Sequence, residues 1–290
     1  MHRRRFVLAA LSAAGVTLRA HAASADPFSI VYPHYRPEDW ARAIFPLAVL
    51  DLAMKAAGAD YVARQADVLM ERGRALAELA GGSNAINLLW TSTDAEAERG
   101  LNVVRIPINR GLIGYRIFVI RKDRQADFDR VRNLDDLKAL TGGQGLGWID
   151  TKIMRAAGLN IETVPYETVF DMVQGGRLDY FPRGAIEAFA ELDEPRHRDR
   201  DLVVEKHLLL KYRSDFIFYV STKHASLAQT INRGLEKAYL DGSFMRLFNS
   251  HPYIQDGLLR SNLASRKVFV LDNPYLSEED RRIPDKYWMS

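Results

Sequence analysis

Short β-branched, apolar runs alternate with stretches of helical periodicity along most of this 290-residue chain, and this alternation constrains the fold more than any other feature. Residues 28–32 read as a strand. Phe45, Ala48, Val49, Leu52, Ala53 and Ala56 then recur at helical spacing, with Gly58 as a stop. Leu69, Gly73, Leu76 and Ala80 repeat the pattern before Gly81-Gly82, and residues 86–90 and 115–120 are buried strands. A second unit follows. Asn133 caps a helix start, residues 145–149 form a strand, 151–157 a helix, 161–164 a strand, 168–174 a helix, 179–181 a strand and 185–192 a helix. The charged run 193–201 is a solvated loop, 216–221 a strand, and Leu227, Ile231, Leu235 and Ala238 line a helix stopped at Asp241-Gly242. Residues 267–271 form a last strand. This order predicts an α/β protein with mainly parallel strands, built as two lobes with the second inserted into the first. Residues 26–112 and 214–290 are assigned to the first lobe, the latter including a C-terminal extension from 249, and residues 113–213 to the second. Ligands of open α/β sheets bind beyond the carboxyl ends of the strands, so two such units facing each other predict a cleft for a small molecule.

The first 22 residues read as an export signal. Arg3, Arg4 and Arg5 precede an apolar run over residues 6–16, and Ala20-His21-Ala22 or Ala23-Ser24-Ala25 supplies the cleavage site, which predicts a periplasmic protein. The run is shorter than the roughly 20 residues that span a bilayer. Arg3-Arg4-Arg5-Phe6 fits either a twin-arginine signal or an ordinary secretory one. Removal of Arg3, Arg4, Arg5 and Arg19 turns the formal charge of +3 into 36 basic against 37 acidic residues. Near-neutrality gives no electrostatic reason to expect nucleic acid as a partner. The absence of cysteine excludes disulfides and thiolate chemistry. The five remaining histidines show no metal-ligand spacing, so no metal and no cofactor is expected. Gly142-Gly143-Gln144-Gly145-Leu146-Gly147 departs from the dinucleotide and P-loop patterns and reads as a turn at the cleft.

The order of elements resembles the type II periplasmic solute-binding proteins, in particular the family 3, amino-acid-binding branch. The resemblance rests on Tyr32 after the first strand, Trp90-Thr91-Ser92-Thr93 with Arg99 downstream, and Arg105-Ile106-Pro107-Ile108 leading into Gly114-Tyr115-Arg116-Ile117-Phe118. Asp150-Thr151 opens a helix of the second lobe, and Leu240-Asp241-Gly242-Ser243-Phe244 matches the closing helix-turn. It covers residues 29–248 and leaves the last 42 without a counterpart. Arg110-Gly111-Leu112-Ile113-Gly114, Trp148-Ile149-Asp150-Thr151, Tyr180-Phe181-Pro182-Arg183-Gly184 and Asn273-Pro274-Tyr275-Leu276 are similar to an uncharacterised subgroup. The resemblance implies capture of a small ligand between two hinged lobes for an ABC-type importer, by a monomer that meets a membrane permease or receptor. Relatives that bind amino acids hold the carboxylate with an arginine shortly after a T-x-T segment and the amine with a second-lobe aspartate. Arg99 lies beyond the usual spacing, and Arg183 stands near the expected aspartate. An arginine there repels an amine and attracts an anion, which favours a carboxylate-bearing ligand other than an ordinary α-amino acid.

The candidate ligand-binding residues are therefore Tyr32, Trp90, Thr91, Thr93, Arg99, Arg116, Trp148, Asp150, Thr151, Tyr180 and Arg183. Each has a plainer alternative. Thr151 either caps a helix or, with Asp150, marks an anion site at the helix N-terminus. Arg183 either forks onto a ligand carboxylate or pairs with Glu187. Arg116 either reaches the cleft or pairs with a carboxylate such as Glu205. Trp90, Trp148 and Tyr180 stack on ligand or fill core, and Thr91 and Thr93 bind it or form a turn. No catalytic residue is assigned. An exported enzyme on the same scaffold, dehydratase-like, would need Asp150, Glu187 or His34 free in the cleft. A ligand sensor docking on a membrane receptor uses the same closure.

Overall fold

A computed structural model of the protein describes residues 26–36 and 40–289. The expected leader, with its cleavage sites, lies outside the described residues. Strand β1 (Phe28–Tyr32) pairs in parallel with β2 (Tyr61–Gln65), and helix α1 (Ala41–Ala57) makes the crossover. Gly58, at φ 67°, ends α1 in the left-handed conformation that a side chain would resist. Helix α2 (Arg72–Ala80) follows, then β3 (Leu88–Ser92) and β4 (Leu101–Val104). The chain then leaves this half along β5 (Tyr115–Arg121). Helices α3 (Gln125–Phe128) and α4 (Leu134–Lys138) lead to β6 (Thr141–Gly145), α5 (Ile149–Ala156) and β7 (Asn160–Val164). Next come α6 (Tyr166–Gln174), β8 (Tyr180–Gly184), α7 (Ala188–Leu192), β9 (Leu202–Val204) and β10 (Leu208–Lys211). The chain returns with β11 (Phe216–Ser221), α8 (Ala225–Leu240), α9 (Ser243–Ser250) and α10 (Pro252–Ser261), and closes with β12 (Lys267–Val270) and α11 (Glu278–Arg281).

β11 lies between β3 and β4 and is antiparallel to both, so everything from β5 to β10 is inserted between neighbours of one three-stranded sheet. The inserted strands, joined at one edge by β12 from the tail, form a second sheet in the order β12-β10-β5-β8-β6-β7, with β9 also paired to β5. The result is the expected two-lobed α/β architecture. The strands are not mainly parallel, however. β6 runs parallel to β7 and β8, but β5 is antiparallel to β8, β9 and β10 because it and β10 are the outgoing and returning crossings.

Two further expectations need correction. Most of the glycine run, Gly142 to Gly145, belongs to strand β6, and only Leu146-Gly147 forms the expected turn, with Gly147 at φ 72°. A Cβ on Gly143 would sit 2.5 Å from the Leu178 side chain and one on Gly145 2.5 Å from the Trp148 ring, so here the missing side chains make room for packing. The tail also does not stay with the first lobe. β12 pairs in parallel with β10, Lys267 opposite Leu208 and Val270 opposite Lys211, at the edge of the second sheet. The tail then returns to the first half, where the Ala95 N–H donates to the Tyr275 carbonyl (3.0 Å) and Arg105 Nε lies 3.4 Å from Asp280.

The first lobe is held together by α1 against α8. Leu227, Ile231, Leu235 and Ala238 are all buried along one stripe of α8, as their spacing predicts. Gly234 lets the two backbones touch, for a Cβ there would fall 1.9 Å from the Ala53 carbonyl oxygen. Gly234→Ala is expected to destabilise by about 1–3 kcal/mol, because backbone cannot give way as a side-chain tip can. A urea midpoint equal to or above that of the parent protein would refute this contact.

Candidate functional site

A cavity of about 170 Å³ lies between the two halves, where the carboxyl ends of β1, β3 and β6 face one another. One wall belongs to the first half. The Tyr35 ring stacks on Trp90 with centroids 5.5 Å apart and planes within 2°, and Thr91 and Ser92 continue the strand end beside it. The opposite wall carries Trp148, which stacks on Phe181 at 6.2 Å and lies 5.8 Å from Tyr166. Ile149 and Asp150 line the cavity from the first turn of α5, where helical N–H groups have no intrahelical acceptor.

Bonds across the cavity tie the halves together. Arg36 pairs with Glu167 at 3.3 Å, and the Arg42 guanidinium lies 4.6 Å over the Tyr166 ring. Arg72, the first residue of α2, donates from Nη1 to the Gly147 carbonyl at 3.2 Å. Its Nε donates to Thr91 Oγ1 (2.9 Å) and its Nη2 to Asp94 (3.2 Å), which aims the guanidinium from below. At the rim Lys152 pairs with Glu96 at 3.0 Å.

The floor is a network of buried charges. Arg116 donates from Nε to the Tyr212 hydroxyl (2.9 Å), pairs through Nη2 with Asp150, and reaches Glu187 at 3.5 Å. Tyr212 in turn donates to Asp150 at 2.6 Å. Arg183 forks onto Glu191 with bonds of 2.7 and 2.5 Å, lies 3.1 Å from Glu187, and stacks 4.8 Å over the Trp148 ring. All six side chains belong to residues no more than 3% exposed. Burial alone would lower both arginines, but the carboxylates beside them outweigh it and hold each guanidinium above its ordinary range. Burial raises the Tyr212 hydroxyl well above its usual value, with Arg116 pulling the other way. Within this network two guanidinium groups face three carboxylates, but Glu191 lies behind the cavity lining, which itself holds five arginines and four acidic side chains.

Of the residues expected at a site, the cavity brings together Trp90, Thr91, Arg116, Trp148, Asp150 and Arg183. The other five lie outside its lining. Tyr32 is a buried ring behind Trp90, 5.5 Å away, and Thr93 is buried beyond the strand end with its N–H donating to the Asp215 carbonyl. Thr151 is buried as the third residue of α5, and the exposed Arg99 sits in the turn before β4. Tyr180 points to the opposite face of β8 from Arg183 and packs 4.9 Å from Phe118. The expected free fork at Arg183 is corrected: Glu191 and Glu187 already occupy it. Arg116 does pair with a carboxylate, but with Asp150; Glu205 instead accepts the N–H groups of His207 and Leu208. Arg36, Arg42, Arg72 and Tyr166 line the cavity and were not among the expected residues. Tyr166 begins α6 directly after β7, the same signal that marks Trp148 and Asp150, whereas Arg72 begins α2 after a six-residue loop from β2.

Among the described residues no group of three or more His, Asp or Glu side chains is placed to hold a metal ion, and no helix is long and apolar enough to cross a membrane.

No protein-family model matches the chain, and no curated protein matches it by sequence. Solved structures do. A periplasmic binding protein of Salmonella typhimurium with high arginine specificity superposes with a TM-score of 0.52 at 14% identity, over 80% of this chain and 98% of that one. A histidine kinase sensor domain similar to periplasmic binding proteins gives 0.54 at 13% identity, over 77% and 95%. An ancestral amino-acid-binding protein, precursor of cyclohexadienyl dehydratase, gives 0.51 at 13%, over 77% and 93%. At these identities the likeness establishes the fold: two lobes of the type II periplasmic-binding kind.

Proposed function

We propose that this chain is an exported solute-binding protein that captures a small polar, carboxylate-bearing ligand between its lobes and delivers it to an ABC-type importer. The observation that carries the reading is the cleft itself, with an aromatic wall from each half and direct bonds from Arg36 and Arg72 across it. A ligand carboxylate fits the first turn of α5, where the free N–H groups and the helix dipole favour an anion, with Arg72 opposite. Neutralisation of Arg183 by Glu187 and Glu191 removes the reason to disfavour an amine. Zwitterionic, amino-acid-like solutes therefore fit alongside simple acids, in keeping with what the Salmonella and ancestral proteins of this fold bind. The hydrogen bonds on Asp150 and Glu187 leave neither carboxylate free for proton transfer, and His34 is engaged through Nδ1 with the Ala66 carbonyl at 3.1 Å, which favours binding over catalysis.

Thermal denaturation against a library of amino acids, organic acids and sugar acids tests the reading. A cognate solute present at 100 times its Kd is expected to add about 2.7 kcal/mol of stability. Arg72→Ala is expected to weaken its affinity about tenfold or more, the loss of one charge-assisted hydrogen bond. Absence of any stabilising compound in ligand-free protein, or an affinity untouched in both Arg72→Ala and Trp148→Ala, would remove the proposal.

A further inference from the structure

A second and larger pocket, of about 790 Å³, opens on the other side of the lobe crossing, between the crossing strands and the C-terminal tail. Neighbouring residues on β5 point to opposite faces, so Arg116 lines the front cavity while Tyr115 lines this one. Lys211 at the end of β10 places Nζ 4.6 Å over the Tyr115 ring, and no carboxylate among the described residues pairs with it. Beside it the Arg213 guanidinium stacks 4.3 Å from Trp288. Arg213 Nε is buried without an acceptor, its Nη2 donates to the Ile283 carbonyl, and the only carboxylate among the described residues that reaches its guanidinium is the exposed Asp285, at 3.4 Å. The Trp288 indole N–H is also buried without an acceptor. Apolar surface adjoins these groups at Val270, Leu271 and Leu276.

Four cationic side chains, Arg110, Lys211, Arg213 and Arg281, therefore face two acidic ones, Asp272 and Asp285, around a partly apolar hollow. We infer that this rear pocket is a binding site for a small amphiphilic anion, a carboxylate carried on a short apolar chain. The carboxylate meets Lys211 and Arg213, and the chain lies along the apolar side. The site is formed by residues of the first crossing (Gly111, Tyr115), the return crossing (Lys211 to Arg213) and the tail, so its occupant touches every segment that joins the lobes. Tyr212 also lines this pocket, and its hydroxyl bonds both Arg116 and Asp150 in the front floor. A ligand at the rear thus contacts a residue that helps hold the front site in shape.

Isothermal titration of the full chain with octanoate, at concentrations below its self-association, tests the inference. Saturable one-to-one binding is expected, with octylammonium giving no saturable heat. Lys211→Glu is expected to weaken octanoate binding about tenfold or more, the scale of one lost ion pair in a partly buried setting. Arg72→Ala, which alters only the front cavity, is expected to leave it unchanged. The inference is overturned by no saturable binding, by equal binding of octylammonium, by an unaffected Lys211→Glu variant, or by loss of binding in Arg72→Ala, which would place octanoate in the front cleft. Only the Lys211 and Arg72 outcomes bear on where the anion sits, so the rear site can fail while the front one stands.

Discussion

Asp215→Ala is expected to be among the most damaging single substitutions in this protein, lowering stability by about 3–5 kcal/mol, since it strands several buried N–H donors at roughly 1–3 kcal/mol for each one that finds no other acceptor. Asp215 is fully buried between the two crossings and accepts four hydrogen bonds. The Asn109 and Gly111 backbone N–H groups donate to one oxygen at 2.7 and 2.8 Å; Asn109 Nδ2 and the Phe216 N–H donate to the other at 3.0 and 2.8 Å. These bonds hold a backbone that would not otherwise keep its course, for Arg110 and Gly111 both have positive φ, 54° and 89°. Alanine leaves four donors without an acceptor, each with a desolvation cost. Asp215→Asn is expected to fall in between, since its carbonyl keeps one oxygen's donors while its NH₂ faces the other two.

The same residue sets a pH dependence. Burial pushes its carboxyl up to about 7, against the downward pull of the four N–H donors. The unfolded chain therefore loses this proton first, near the ordinary value of 3.8. Between about pH 4 and 7 the folded state binds more protons, so this residue's contribution is fully present below pH 4 and is lost as pH rises toward 7. Urea denaturation at pH 4.5, 6 and 7.5 checks both claims. Asp215→Asn should remove this component of the slope, and a loss below about 1 kcal/mol for Asp215→Ala would show the crossing to be held by something else.

How much of this was open to reading from residues alone varied with what each feature depends on. The stripe on α8, the Gly58 stop and the inserted second lobe are local patterns or follow from element order, and all three stand in the structure. β2 was missed because it is a short, polar strand at the surface: Val62 is 64% exposed and Arg64 and Gln65 follow it. Without β2 no strand precedes the loop that leads into α2 at Arg72, and the cross-cleft guanidinium goes unseen. Strand β6 was displaced for the opposite reason. Its glycines suggest a turn locally, and only the side chains of Leu178 and Trp148, distant in sequence or folded back, explain them. Tyr180 and Arg183 show the limit most plainly. Both belong to one strand, but three residues apart they face opposite sides, and only the sheet's neighbours decide which side is cleft.

Arg183 provides the second large effect, because a ligand hook and a structural arginine make opposite predictions. Its fork is matched by Glu191, whose only ion pair among the described residues is this one, while Glu187 is shared with Arg116. Arg183→Met should therefore cost about 3–5 kcal/mol, chiefly by stranding the buried Glu191 carboxylate without its partner. Arg183→Met combined with Glu191→Leu should recover most of that loss, since an apolar pair of similar bulk removes the stranded charge. A double-mutant cycle then gives a coupling energy of at least about 2 kcal/mol between two residues eight apart in the chain. Under the alternative, Arg183→Met would fold with near-parental stability, lose its solute, and gain nothing from the change at Glu191. The distinction reaches beyond one residue. If Arg183 is neutralised from within, selectivity rests on the α5 N-terminus and Arg72, and the buried network sets the shape of the floor beneath the solute.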